Sequence, residues 1–67
     1  MKAEQKIKEL LKIHEELTTY EIAKKLNVAW ATAERYLLKM FIEGIVECEE
    51  KYDGFVRKIV WRLKEVI

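Results

Sequence analysis

Apolar residues recur at helical steps through the first two-thirds of the chain and at every second position after Gly44, so the period changes once. From about Lys2 to Glu15, the residues Ala3, Ile7, Leu10, Leu11 and His14 fall at three- and four-residue steps and make one helical face. Glu4, Lys8 and Lys12 occupy the solvated side. Leu17 lies between this helix and the next, where a short first strand can pair with a later hairpin. Thr18-x-x-Glu21 reads as a capping box: the hydroxyl accepts from an early backbone N–H, and the glutamate reaches back to the cap. Ile22, Ala23 and Leu26 face inward on the helix it opens. Asn27, which tolerates a left-handed backbone, ends that helix. A third helix runs from Ala29 or Trp30 to Glu43, with Ala33, Leu37 and Met40 on its inner line and Tyr36 and Phe41 beside them. Gly44 is its left-handed stop.

Beyond Gly44, Val46, Cys48 and Glu50 share one face of a strand. Tyr52-Asp53-Gly54 is the expected turn, since Asp-Gly is a strong hairpin signal. On the returning strand Phe55, Arg57, Ile59, Trp61 and Leu63 share one face, and Val56, Lys58, Val60 and Arg62 the other. The predicted class is α+β in the order α-β-α-α-β-β: a three-helix bundle with a C-terminal β-hairpin.

Size and composition narrow what such a chain can do. Its 67 residues make one domain, 1–67. A domain this small buries only about 60% of its unfolded surface, so its stability margin is thin. One Cys and one His supply neither an intrachain disulfide nor a structural zinc site, and no metal or cofactor is expected. A single unpaired cysteine fits a reducing, cytoplasmic compartment. No apolar run is long enough to span a membrane, and the charged start carries no signal-peptide stretch. The apolar end, Val66-Ile67, leaves open a further domain beyond it. One Asn, one Gln and no Pro, with abundant Lys, Glu and Ile, resemble the composition of heat-loving organisms' proteins. Catalysis has little support: there is no second His, no Ser, no Gly-rich phosphate loop and no carboxylate pair in an evident pocket. No pocket for a small-molecule effector is evident either. Thirteen basic against twelve acidic residues give a net charge of +1, less than a dedicated nucleic-acid binder usually carries.

The element order and the run from Leu17 to Val46 resemble the winged helix-turn-helix transcriptional regulators of bacteria and archaea. Glu21-Ile22-Ala23, the Leu26-Asn27-Val28 turn, Thr32, Arg35, Leu37 and Gly44-Ile45-Val46 carry the resemblance. It implies a helix-turn-helix over 18–43 and a wing hairpin over 45–63. It also implies double-stranded DNA as partner, with the third helix in the major groove and the wing on the backbone. The family's contacting positions fall here on Trp30, Ala31, Thr32, Arg35 and Lys39. Phosphate contacts fall on Thr19, Tyr20 and Lys24, and wing contacts on Lys51, Arg57 and Lys58. Three features depart from the family pattern. Ala29 stands where Ser or Thr usually caps the third helix. Leu38 and Ile42 stand where charged residues are common. Glu47, Glu49, Glu50 and Asp53 make the wing acidic, offset by Arg57, Lys58, Arg62 and Lys64.

Several side chains have two readings. Trp30 either stacks on the nucleic acid or lies partly buried over its helix. Leu38 and Ile42 either meet the wing or the chain's own C-terminus, or form a homodimer surface together with Val60, Val66 and Ile67. His14 is expected to be a half-buried structural residue, Cys48 a small apolar core side chain, and Trp61 a core residue closing over the first helix. The expected function is sequence-specific duplex binding by a homodimeric transcriptional regulator. The alternative is a winged helix used for protein–protein contact within a larger assembly.

Overall fold

The computed structural model describes residues 2–64, apart from the Lys2 side chain. The elements are α1 (Lys2–His14), β1 (Leu17–Thr18), α2 (Thr19–Leu26), α3 (Trp30–Ile42), β2 (Val46–Asp53) and β3 (Val56–Leu63), in the order expected. The three strands form one antiparallel sheet, β1-β3-β2, with β3 in the middle.

Local chemistry sets the helix ends. The Thr18 hydroxyl accepts from the Glu21 N–H at 3.1 Å, and Glu21 Oε1 accepts from the Thr18 N–H at 2.9 Å, so the capping box is complete. Asn27, at φ +58°, closes α2 while the Val28 N–H donates to the Ala23 carbonyl at 3.1 Å. Gly44, at φ +78°, closes α3: its N–H donates to Phe41 and that of Ile45 to Met40, the paired bonds of a Schellman motif. Glu15 is less expected. It closes α1 at φ +68°, a left-handed conformation that costs a side chain with a Cβ about 1–2 kcal/mol.

The core draws on every element. Ile7 and Leu11, Leu17, Ile22 and Ala23, Ala33, Leu37 and Met40, Val46 and Trp61 form one buried cluster. Ile7, Ile22, Leu37, Met40 and Val46 are fully buried, each worth about 1.5–3 kcal/mol in transfer free energy.

Four expectations are corrected. The hairpin turn is Gly54-Phe55, one residue later than expected, with Asp53 opposite Val56. Gly54 has φ +67° and Phe55 is not in the positive-φ region, which makes a type II′ turn with glycine first. The shift re-pairs the strands, setting Cys48 against Trp61, but leaves each residue on its expected face. His14 is exposed, because it is the last residue of α1 and lies beyond Leu11, the last buried one. Cys48 is exposed, because the hairpin outruns the helices and β2 is buried only at Val46. Val60 is buried and unavailable to a dimer surface. It lies between Thr18 and Glu49 in register, on a face crossed by charged side chains. Val66 and Ile67 lie outside the described residues.

Candidate nucleic-acid interface

The core line of α3 decides what the helix presents to solvent. With Ala33, Leu37 and Met40 buried, the 3.6-residue period places Ala31, Arg35, Leu38 and Ile42 on the opposite face. Trp30, Glu34 and Phe41 occupy the flank toward the hairpin. Phe41 there meets buried Trp61 edge-on, with ring centroids 6.3 Å apart. Thr32 and Lys39 occupy the other flank. Lys39 Nζ lies 3.3 Å from Glu4 Oε1, an ionic contact without hydrogen-bond geometry, which leaves that buried oxygen otherwise unpartnered.

One buried hydrogen bond joins the helix-turn-helix to the hairpin. Trp61 Nε1 donates to Thr19 Oγ1 at 2.8 Å, from the middle strand to the first residue of α2. A single ring thereby reaches α3 through Phe41 and α2 through Thr19. Thr19, expected among the phosphate contacts at the start of α2, is 5% exposed, and its hydroxyl oxygen accepts from Trp61.

The same joint opens a cleft of 510 Å³ where α2 and α3 begin, with Tyr20 and Trp30 on one side and Arg57, Lys58 and Ile59 of β3 on the other. The carboxylates of Glu21 and Glu34 border it. Glu21 is held by its cap. The Thr18 N–H, above all, keeps its carboxyl below the usual value against the opposing effect of desolvation, with the Thr18 side chain and then Lys25 and Lys58 adding to the lowering. Trp30 is 55% exposed, so the indole is an open wall and not a core residue. Tyr20 is exposed beside it. Glu34 and Ile59 were not among the expected site residues. Glu34 was legible as the residue one turn after Trp30, whereas Ile59 needs the hairpin's placement against α3.

Charge is sorted between the two faces of the hairpin. On the face away from α3, Arg62 bonds Glu16, Glu47 and Glu49, and Lys51 Nζ donates to Glu16 at 2.8 Å. The Arg62 hydrogen bond holds the Glu49 carboxyl below its ordinary value, and Glu49 in turn pushes the guanidinium up. Lys51, opposite Lys58 in register, is thus paired with Glu16 on the far face. On the near face Glu50 takes Arg57 Nε at 3.2 Å and the Tyr52 hydroxyl at 2.5 Å. Three of the four acidic wing residues are therefore in ion pairs. Among the described residues, Lys24, Lys25, Arg35 and Lys58 enter none. Of the remaining expected contacts, Ala31 is exposed and Thr32 half-buried. Leu38 and Ile42 are 47% and 84% exposed, meeting neither the wing nor the core fully.

Among the described residues there is no cluster of metal-ligating side chains, and no helix is long and apolar enough to cross a membrane. No protein-family model and no curated protein matches the sequence. Among solved structures the chain is similar to the Zalpha domain of PKZ, crystallised in complex with ds(CG)6. The TM-score is 0.73 and the identity 26%, over 92% of this chain and 94% of that one. That likeness supports the winged-helix fold, and the relative it names is a Zalpha domain, not a bacterial or archaeal regulator.

Proposed function

We propose that this protein binds double-stranded DNA through the first half of α3 and Lys58 of the wing, and that it acts as a transcriptional regulator. The observation that carries the reading is the sorting of charge. Carboxylates of the wing are tied to Arg62 and Arg57, while, among the described residues, Lys24, Lys25, Arg35 and Lys58 enter no ion pair on or beside the helix-turn-helix. The fold's likeness to a domain crystallised with duplex DNA supports the same reading. In this arrangement Ala31 and Arg35 face the major groove, where a bidentate contact to guanine is worth about 1–3 kcal/mol of discrimination. Lys24 and Lys58 neutralise phosphates. Leu38 and Ile42, further along the helix, project past the groove and pair two copies into a homodimer on a two-fold site.

Duplex binding titrated at several salt concentrations tests the proposal. Two phosphate contacts give a log–log slope of about −2, so affinity falls about tenfold between 50 and 200 mM salt. Absence of binding at low salt refutes it. The exposed Leu38 and Ile42 favour a second reading, a protein-contact module, and that reading is the one left standing if duplex binding is absent.

A further inference from the structure

The cleft between α2, α3 and β3 is poorly suited to phosphate alone. One wall is the open face of Trp30, backed by Ile59, with Tyr20 at the mouth. Its polar group on α3 is the carboxylate of Glu34, half-buried and, among the described residues, in no ion pair or side-chain hydrogen bond. An ionised carboxylate only accepts hydrogen bonds, so it repels phosphate and attracts N–H groups. Across the cleft stand Arg57 and Lys58. An aromatic face, an acceptor and one cation in no ion pair among the described residues, Lys58, match the three parts of a nucleotide: the ring face, an amino edge and the phosphate. The volume of 510 Å³ lies within the range of about 300–1,000 Å³ typical of small-molecule sites.

We propose that this cleft binds an unpaired nucleobase carrying an exocyclic amine, with cytosine the best fit among pyrimidines. The base stacks on Trp30, its amine donates to Glu34, and Lys58 meets the adjoining phosphate. Bases within a duplex offer edges but not faces, so the ligand is single-stranded or extruded DNA. Thymine places a carbonyl where cytosine has its amine, and that carbonyl faces the carboxylate. The inference deepens the proposed DNA-binding reading and rests on it.

The test titrates the intact chain with oligo(dC), oligo(dT) and a duplex, above neutral pH and at low salt, following tryptophan emission. Trp61 is 2% exposed and contributes a constant background, so quenching reports Trp30. Oligo(dC) is expected to quench and to bind about tenfold more tightly than oligo(dT), as one base-edge contact allows. Glu34→Gln brings the two oligonucleotides to within about twofold, because the amide both donates and accepts. Trp30→Ala weakens both by about tenfold or more, as loss of one stacked base requires. Circular dichroism of each variant checks that the fold is kept. Duplex binding without quenching by either oligonucleotide overturns the cleft and leaves the duplex reading intact. So does a dC preference that survives Glu34→Gln. Failure to bind all three overturns both.

Discussion

Removing the acceptor of the buried Trp61–Thr19 bond should destabilise the domain strongly. Thr19→Val keeps the side-chain shape and removes only the hydroxyl. Trp61 is 2% exposed, so its indole N–H would be left buried and unpaired. That cost is about 1–3 kcal/mol, more than the net worth of an average hydrogen bond. A chain of 67 residues has about 3–10 kcal/mol of stability in all, so this is a large share of it. A loss of about 2 kcal/mol lowers the melting temperature by about 8–16 °C in a domain of this size. Urea and thermal unfolding by circular dichroism measure it. Thr18, not Thr19, carries the helix cap, so the substitution does not disturb capping. A double-mutant cycle isolates the bond: in a Trp61→Phe background, Thr19→Val should be nearly neutral. Equal cost in both backgrounds, or no cost in the wild type, would refute the reasoning.

Glu15→Gly relieves the left-handed α1 terminus at φ +68° and should stabilise by about 1 kcal/mol, raising the melting temperature by about 4–8 °C. An unchanged or lower melting temperature would count against the strain argument. Thr18→Ala removes the cap of α2 and should cost about 1 kcal/mol, read from urea midpoints. The Glu21 carboxyl lies below its usual 4.5 in the folded chain, chiefly through the Thr18 N–H, so its contribution is complete above that value and is lost as pH falls through the lower folded one. Wild type should therefore exceed Glu21→Gln in stability near neutrality and converge with it in acid; a constant gap across pH would contradict this. Arg62→Gln frees Glu16, Glu47 and Glu49 together and should destabilise more at low salt than at high salt, whereas a salt-independent loss would point to packing of the arginine stem.

Helix ends were legible because their chemistry is local. Thr18 and Glu21, Asn27, and Gly44 each act within a few residues of their own backbone. The Asp53-Gly54 signal was local too, yet it misplaced the turn by one residue. The same glycine serves as second residue of one turn type or first of another, and pairing along the whole hairpin chooses between them. Periodicity found the right faces but not how far the core extends along them. His14 and Cys48 lie on inward-facing lines at positions where no partner element remains to cover them. Val60 shows the converse, since it lies on the polar face and is buried beneath charged side chains that reach across the sheet. Glu15 carried no sign of its left-handed backbone, because only the geometry of the α1–β1 connection imposes it. At the candidate site, Trp30, Arg35 and Lys58 could be named from helix phase and charge. Thr19 could not be placed, because its partner Trp61 lies 42 residues away and only the fold brings the two together.

A net charge of +1 is a poor guide to what this surface attracts, because it averages over groups already committed to one another. Glu16, Glu47 and Glu49 face Lys51 and Arg62, three carboxylates against two cations, and their combined field is that of about one negative charge. Arg57 and Glu50 cancel on the other face. What remains near the start of α2 and α3 is cationic, with Glu34 and Glu21, among the described residues, as the acidic side of the cleft. Glu21 is committed to the helix cap. Glu34, among the described residues, enters no ion pair or side-chain hydrogen bond, and it stands one turn from the open face of Trp30. A surface built only to hold phosphate gains nothing from that residue, whereas a surface that reads a base edge requires an acceptor in that position.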